Sequence, residues 1–276
     1  MAAWKVMLPS GAVMPTFGLG LYKARRGAET YEAVRSALAA GYRLIDTAQW
    51  YRNEQDVGRA LRDSKVPRAD VFVTTKLWVS HWGYDRATTA IQECRERLGV
   101  EYIDLLLLHA PGDAATRDET WRALEDAKNN GTVRDIGVSN FGVKHLEKLM
   151  RNGRERPAVN QIELHPWLAR TELVEWCRAH DIVVEAYSPL AKATRLTDPT
   201  LVQIAASLRA TPAQVLIAYS LAKGYVTVAK SVSPERQQEN WDGATVLALP
   251  PDSVARLDAL DAGIITAWDP MSTHEV

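Results

Sequence analysis

Eight short runs rich in Val, Ile and Leu, each followed by a longer stretch of helical periodicity, constrain this chain more than any other feature. The runs fall at residues 15–21, 43–48, 71–77, 104–109, 135–140, 159–164, 183–188 and 225–230. Helices are expected between them at 28–40, 85–98, 118–130, 143–151 and 172–180. Repeated strand–helix units form a parallel sheet covered by helices, and eight of them close most naturally into a barrel. The expected fold is therefore α/β, a (β/α)8 TIM barrel, with residues 1–276 forming a single domain. Ahead of the first run, Pro9-Ser10-Gly11 separates residues 5–8 from 13–14, which predicts a small β-hairpin closing one barrel end.

Composition agrees with that size of core: 276 residues at 46% hydrophobic content fill one barrel. The rival architecture, an open doubly wound sheet, needs a third glycine after Gly18-Leu19-Gly20, and position 23 is Lys23. A formal charge of −1 with interspersed signs predicts neither a nucleic-acid surface nor a membrane surface. No apolar run approaches the roughly 20 residues of a membrane span, and residues 1–5 lack a cleavable leader pattern, so a cytoplasmic location is expected. Cys94 and Cys177 each sit in a helical segment without metal-ligand spacing and are expected to be reduced and buried.

The active site of such a barrel lies at the carboxyl ends of its strands. Asp46 lies in the second run, Tyr51 just beyond it, Lys76 near the end of the third, and His109 closes the fourth. Reduction of a carbonyl needs a hydride on carbon and a proton donor near the oxygen, where negative charge develops. Tyr51 fits the donor's role, Lys76 is expected to lower the phenol's pKa, and Asp46 to hold Lys76 charged and oriented. His109 can orient the carbonyl oxygen through a ring N–H or assist proton transfer. Taken singly, each has a duller reading as a surface ion, an interfacial aromatic or a structural histidine; their arrival at adjacent strand ends favours the chemical one. The remaining histidines, at positions 81, 145, 165, 180 and 274, form no ligand set, so no metal is expected.

These residues and their neighbours resemble the ordered motifs of the aldo-keto reductase superfamily over nearly the whole chain. The matching segments are Asp46-Thr47-Ala48 with Tyr51 and Asn53-Glu54, Thr75-Lys76-Leu77-Trp78, Leu108-His109, Gly137-Val138-Ser139-Asn140-Phe141, Asn160-Gln161-Ile162-Glu163, Tyr187-Ser188-Pro189-Leu190 and Lys230-Ser231. Among its members the chain looks most like the short microbial and protozoan reductases that act on diketogluconate or prostaglandin endoperoxide. The resemblance implies a catalytic tetrad of Asp46, Tyr51, Lys76 and His109, and NADPH/NADP+ bound across the barrel mouth of a monomer that reduces aldehydes and ketones. It assigns Ser139, Asn140 and Gln161 to the nicotinamide carboxamide and stacks Tyr187 on the ring, with Gly20, Leu21, Asp46, Ser188 and Leu190 as further cofactor contacts.

A strand ends and a helix is expected to begin at Ser233, with Pro234 in its first turn, an arrangement that favours an anion. The resemblance makes that anion the adenosine 2′-phosphate, held by Lys230, Ser231, Ser233 and Arg236, with Val232 a further cofactor contact and Glu239 and Asn240 near the adenine. Tyr22, Tyr51, Trp78, His109 and Ala110 are expected to line the substrate pocket, with Trp50 and Trp82 as further candidates. Tyr22 stands where the family commonly has Trp, Ala110 replaces the Trp that often follows the catalytic His, and Val228-Ala229 replaces Ile-Pro, which is expected to loosen that turn. With a short connection after Pro111 and a brief tail after Trp268, an open pocket and broad tolerance of small carbonyl substrates are expected. The alternatives are an NADPH-binding sensing or structural barrel with little turnover, and physiological alcohol oxidation by the same groups.

Overall fold

In a computed structural model describing residues 5–272 and 276, the eight runs become eight parallel strands. After a hairpin of β1 (Lys5–Met7) and β2 (Val13–Pro15) come β3 (Phe17–Gly20), β4 (Leu44–Asp46), β5 (Phe72–Leu77), β6 (Ile103–Leu108) and β7 (Val133–Ser139). The set is completed by β8 (Val159–Glu163), β9 (Val183–Tyr187) and β10 (Val226–Lys230). From β3 onward each strand pairs with the next and β10 pairs with β3, closing the barrel, while β1 and β2 form a separate antiparallel pair. Residues 1–4, where a leader pattern was sought, and His274 lie outside the described residues.

The alternation of the strands separates two cores. Ile45, Val73, Leu106, Val138, Val184 and Ala186 face outward, into the layer shared with the helices. Leu44, Phe72, Leu105, Leu107, Val159, Val226 and Val228 face inward and pack against Leu8 and Met14 at the hairpin end. Glycines occur on the inner face where space is short: a Cβ on Gly18 would lie 2.4 Å from Leu44 Cγ, and one on Gly137 2.6 Å from Val159 O. Gly18 is thus a close-packing position of a barrel rather than part of a nucleotide-binding turn.

The helices are α1 (Ala28–Ala40), α2 (Glu54–Ser64), α3 (Tyr84–Leu98), α4 (Ala114–Asn129), α5 (Val143–Asn152), α6 (Thr171–Ala179), α7 (Pro199–Leu208), α8 (Pro212–Ala222), α9 (Pro234–Thr245) and α10 (Pro251–Asp258). Helix α4 starts four residues earlier than expected because the Asp113 side chain accepts a hydrogen bond from Ala115 N at 3.1 Å and caps it there. Helices α7, α8 and α10 share an apolar cluster that includes Leu201, Ile204, Leu216, Tyr219 and Leu257. Strand β10 pairs with β3 through Lys230 opposite Gly20. Cys94 and Cys177 are free and buried, in α3 and α6. Among the described residues no single helix is long and apolar enough to cross a membrane.

Candidate active site

Asp46 ends β4 and Lys76 stands one residue from the end of β5, both facing inward. The Lys76 ammonium donates to the two carboxyl oxygens of Asp46 at 2.6 and 2.7 Å and to Thr47 O at 3.1 Å, using all three of its hydrogens. With Lys76 only 1% and Asp46 3% exposed, this ion pair is fully desolvated. It is held because both charges and the remaining lone pairs find partners. Gln161 Nε2 on β8 donates to Asp46 Oδ2 at 2.8 Å, so the pair is fixed from across the barrel.

A one-turn helix, Gln49–Tyr51, follows β4 and brings the Tyr51 ring over the pair, its centroid 5.2 Å from Lys76 Nζ. Sequence reasoning expected Lys76 to lower the Tyr51 pKa. Instead burial pushes the phenol well above its usual value, and the negative charge of Asp46 adds to the rise, as does that of Glu185 once it is ionised. Asp46 grips Lys76 directly, and its negative charge acts on the resting phenol against the pull of the ammonium. Tyr51 therefore keeps its proton throughout the neutral range.

His109, just past β6, presents its ring edge-on to Tyr51, with centroids 5.6 Å apart, and to Trp78 at 5.1 Å. Burial first, then the Lys76 charge, hold its pKa well below the usual histidine value. A neutral imidazole can orient an oxygen by hydrogen bonding, but it is a poor source of a proton.

The residues that end β7, β8 and β9 form one network with this pair. Tyr187 OH donates to Asn140 Oδ1 at 2.8 Å; Asn140 Nδ2 donates to Ser139 Oγ at 3.0 Å and to His109 O at 3.1 Å. Ser139 Oγ in turn donates to Gln161 O at 3.0 Å. Asn140 has a left-handed φ of 62°, which turns its amide back over the strand ends. Ser188 also has a positive φ, 51°, and begins the loop that leads to the half-buried Leu190.

Further round the rim, Gly20 and Leu21 are buried beside β10. Lys230 is exposed, and Ser233 caps α9 by accepting from Arg236 N at 3.3 Å. Ser231 Oγ donates to Ser233 O at 3.1 Å, Val232 and Glu239 are half-buried, Arg236 is exposed and Asn240 is buried. Cationic side chains thus flank a helix N-terminus, a donor set suited to a phosphate.

The mouth is aromatic. Tyr22 packs 5.3 Å from Tyr51, Trp50 stacks on Trp78 at 4.4 Å, and Trp268 of the C-terminal tail lies 5.8 Å from Trp78. Trp50, Tyr22 and Trp268 remain 45–48% exposed. Ala110 is fully buried, and Trp82 is 1% exposed under Gly112, whose φ of 60° lets the loop close so tightly that a Cβ would fall 2.3 Å from the indole.

Sequence reasoning missed two acidic groups. Glu163, quoted only as part of a motif, accepts from Thr266 N at 3.0 Å, from Ala267 N at 3.1 Å and from the Thr266 hydroxyl, and so straps the tail across the mouth. Glu185, in the middle of β9, faces inward between Val183 and Tyr187. Period-2 alternation within the run 183–188 was the signal that could have found it. A surface depression of about 600 Å³ lies at the hairpin end, lined by Ser10, Gly11, Lys128 and Arg134, and none of the tetrad lines it. Among the described residues no cluster of His, Cys, Asp and Glu is arranged to hold a metal.

Known proteins share both the sequence and the backbone of this chain. The Aldo/keto reductase family profile matches residues 16–262. The chain is 44% identical to 9,11-endoperoxide prostaglandin H2 reductase of Trypanosoma cruzi over 271 residues, covering 96% of this chain and 94% of that one. It is 41% identical to glyoxal reductase of Bacillus subtilis, with 93% and 92% covered. Its backbone is similar to that of a Bombyx mori aldo-keto reductase solved in complex with NADP, with a TM-score of 0.89 at 32% identity, covering 97% of this chain and 95% of that one.

Proposed function

The chain belongs to the aldo/keto reductase family, and from that premise we propose that it reduces aldehydes and ketones to alcohols with NADPH, Tyr51 being the proton donor. The observation that carries this reading is the desolvated Asp46–Lys76 pair beneath a protonated Tyr51, with a neutral His109 edge-on beside it. NADPH when bound supplies a hydride to the carbonyl carbon.

The protein's own groups act on the oxygen. His109 donates a hydrogen bond that orients the carbonyl, and Tyr51 passes its proton to the oxygen as charge builds there. Lys76, fixed over the phenol face, stabilises the phenolate left behind. Because Asp46 and Thr47 O hold all three ammonium hydrogens, Lys76 acts through its field rather than by giving up a proton.

Ser139, Asn140 and Gln161 would hold the nicotinamide carboxamide and Tyr187 the ring. The exposed Lys230 and Arg236 at the capped start of α9 would hold the 2′-phosphate, which NADH lacks. The exposed aromatic rim supports broad acceptance of small carbonyl substrates, flat ones included.

The cofactor assignment is tested by changing Lys230 and Arg236 together to Ala. Removing two charge-assisted hydrogen bonds to the phosphate should weaken NADPH about 100-fold, while NADH binding, followed by protein fluorescence quenching, should change little. Equal weakening of both cofactors would refute the phosphate contact.

A further inference from the structure

Glu185 is an ionisable side chain in the barrel interior that the reduction described above does not use. It is fully buried, and among the described residues neither carboxyl oxygen accepts a well-formed hydrogen bond, a weak one from the Gln161 amide aside. Its position follows from register: Glu185 is opposite Gln161 on β8 and Val226 on β10. Parallel strands project paired residues to the same face. Gln161 reaches Asp46 from that face, and Val226 belongs to the interior cluster. Glu185 thus sits one inward position below Tyr187, in the polar layer beneath the strand ends.

The groups facing it can be enumerated by element. Strand β4 contributes Asp46, β5 contributes Lys76 and the hydroxyl of Thr74, also without a partner, and the turn after β4 contributes Tyr51. Strand β8 contributes the neutral Gln161, with Glu163 one inward position further out and tied to the tail; β6 contributes apolar side chains, and β10 contributes Val226 and Val228, with Lys230 exposed at the rim. On β7, Asp135 is tied to Ser10 at the hairpin end. Among these, Lys76 is the only buried cation, and Asp46 already occupies it.

We propose that Glu185 is a positioning residue for the reduction, a carboxyl in the barrel interior whose charge sets how readily Tyr51 gives its proton to the substrate oxygen. The assignment rests on Tyr51 being the proton donor. While Glu185 is neutral, Lys76 is balanced by Asp46 alone and its field is available to the nascent phenolate. Once Glu185 is ionised, a second negative charge opposes that phenolate and competes for the same ammonium. Burial, with Asp46 adding to it, pushes Glu185 up to about 8, while Gln161 and Lys76 pull the other way, so the neutral form prevails at neutral pH. The device is an alkaline brake on reduction.

Glu185→Gln tests it by keeping the shape and removing the charge. We expect the variant to match the native chain in NADPH-dependent turnover at neutral pH within about twofold. Raising the pH to about 9 should lower native kcat about tenfold while leaving the variant nearly flat, with KM moving little in either. Glu185→Asp, which restores a carboxyl, should restore the decline. Native and Gln variants sharing the same alkaline decline would overturn the assignment alone. A folded Gln variant already inactive at neutral pH would also overturn it, since the carboxyl would then be needed for itself. Absence of turnover in the native chain at every pH would instead overturn the reductase reading and this assignment with it. If the Gln variant fails to fold, Glu185→Met, close in volume and uncharged, takes its place with the same expected profile.

Discussion

A carboxyl that keeps its proton inside a barrel leaves a thermodynamic signature independent of turnover. The folded state holds the Glu185 proton at pH values where the unfolded chain has released it, so the native state binds more protons than the unfolded one. Its contribution to stability is fully present below the ordinary glutamate value, declines as pH rises towards the folded value, and is level above it. We expect native stability to fall relative to Glu185→Gln by about 1.4 kcal/mol per pH unit across that window, read as a widening gap in Tm; parallel Tm curves would contradict it. The tetrad residues were legible in sequence because strand ends and residue types announce them. The upward direction of the Tyr51 pKa shift was not, because it depends on how completely the ring is buried and on the Asp46 charge beside it, a matter of distances. The burial of Trp82 and Ala110 was not legible for a similar reason: no pattern in the sequence says how tightly the loop at Gly112 closes.

Among the elements, strands and amphipathic helices were readable and the apolar helices were less so. Helix α8 buries Val215, Leu216, Ile217, Ala218, Tyr219 and Ser220 on successive positions, so no 3.6-residue stripe marks it. Its start was nevertheless encoded, since Thr211 and Gln214 form a reciprocal capping box. Ser233 and Pro234 gave the start of α9 correctly, as expected of a cap followed by proline. Helix α2, which follows the Tyr51 turn, depends on a close approach to α3: a Cβ on Gly58 would lie 2.1 Å from Leu98 O. Gly58→Ala should cost about 1–3 kcal/mol by forcing these helices apart, visible as a Tm lowered by several degrees. An unchanged Tm would show that the two helices separate freely.

For the whole molecule, the barrel order and its closure followed from counting eight runs, but what crosses the mouth did not. The tail after α10 has no periodicity of its own, and its path is set by Glu163, by Arg170 paired with Asp269 at 3.2 Å, and by Lys192 donating to Thr266 O. This strap carries Trp268 to within 5.8 Å of Trp78 at the barrel mouth. Trp268→Ala should raise KM for a bulky aromatic aldehyde about 5–10-fold by removing an aromatic wall, with kcat and the KM of a two-carbon aldehyde nearly unchanged. A uniform rise for all substrates would place Trp268 outside the pocket wall.

The chemistry proposed for this mouth rests above all on Tyr51 as proton donor. Tyr51→Phe removes the hydroxyl and keeps the ring over Lys76, so the most direct measurement is steady-state NADPH oxidation with an aromatic aldehyde alongside NADPH binding to the same variant. Proton donation by Tyr51 predicts turnover lowered by about 10²–10⁴-fold with binding essentially intact, whereas turnover close to that of the native chain would contradict it.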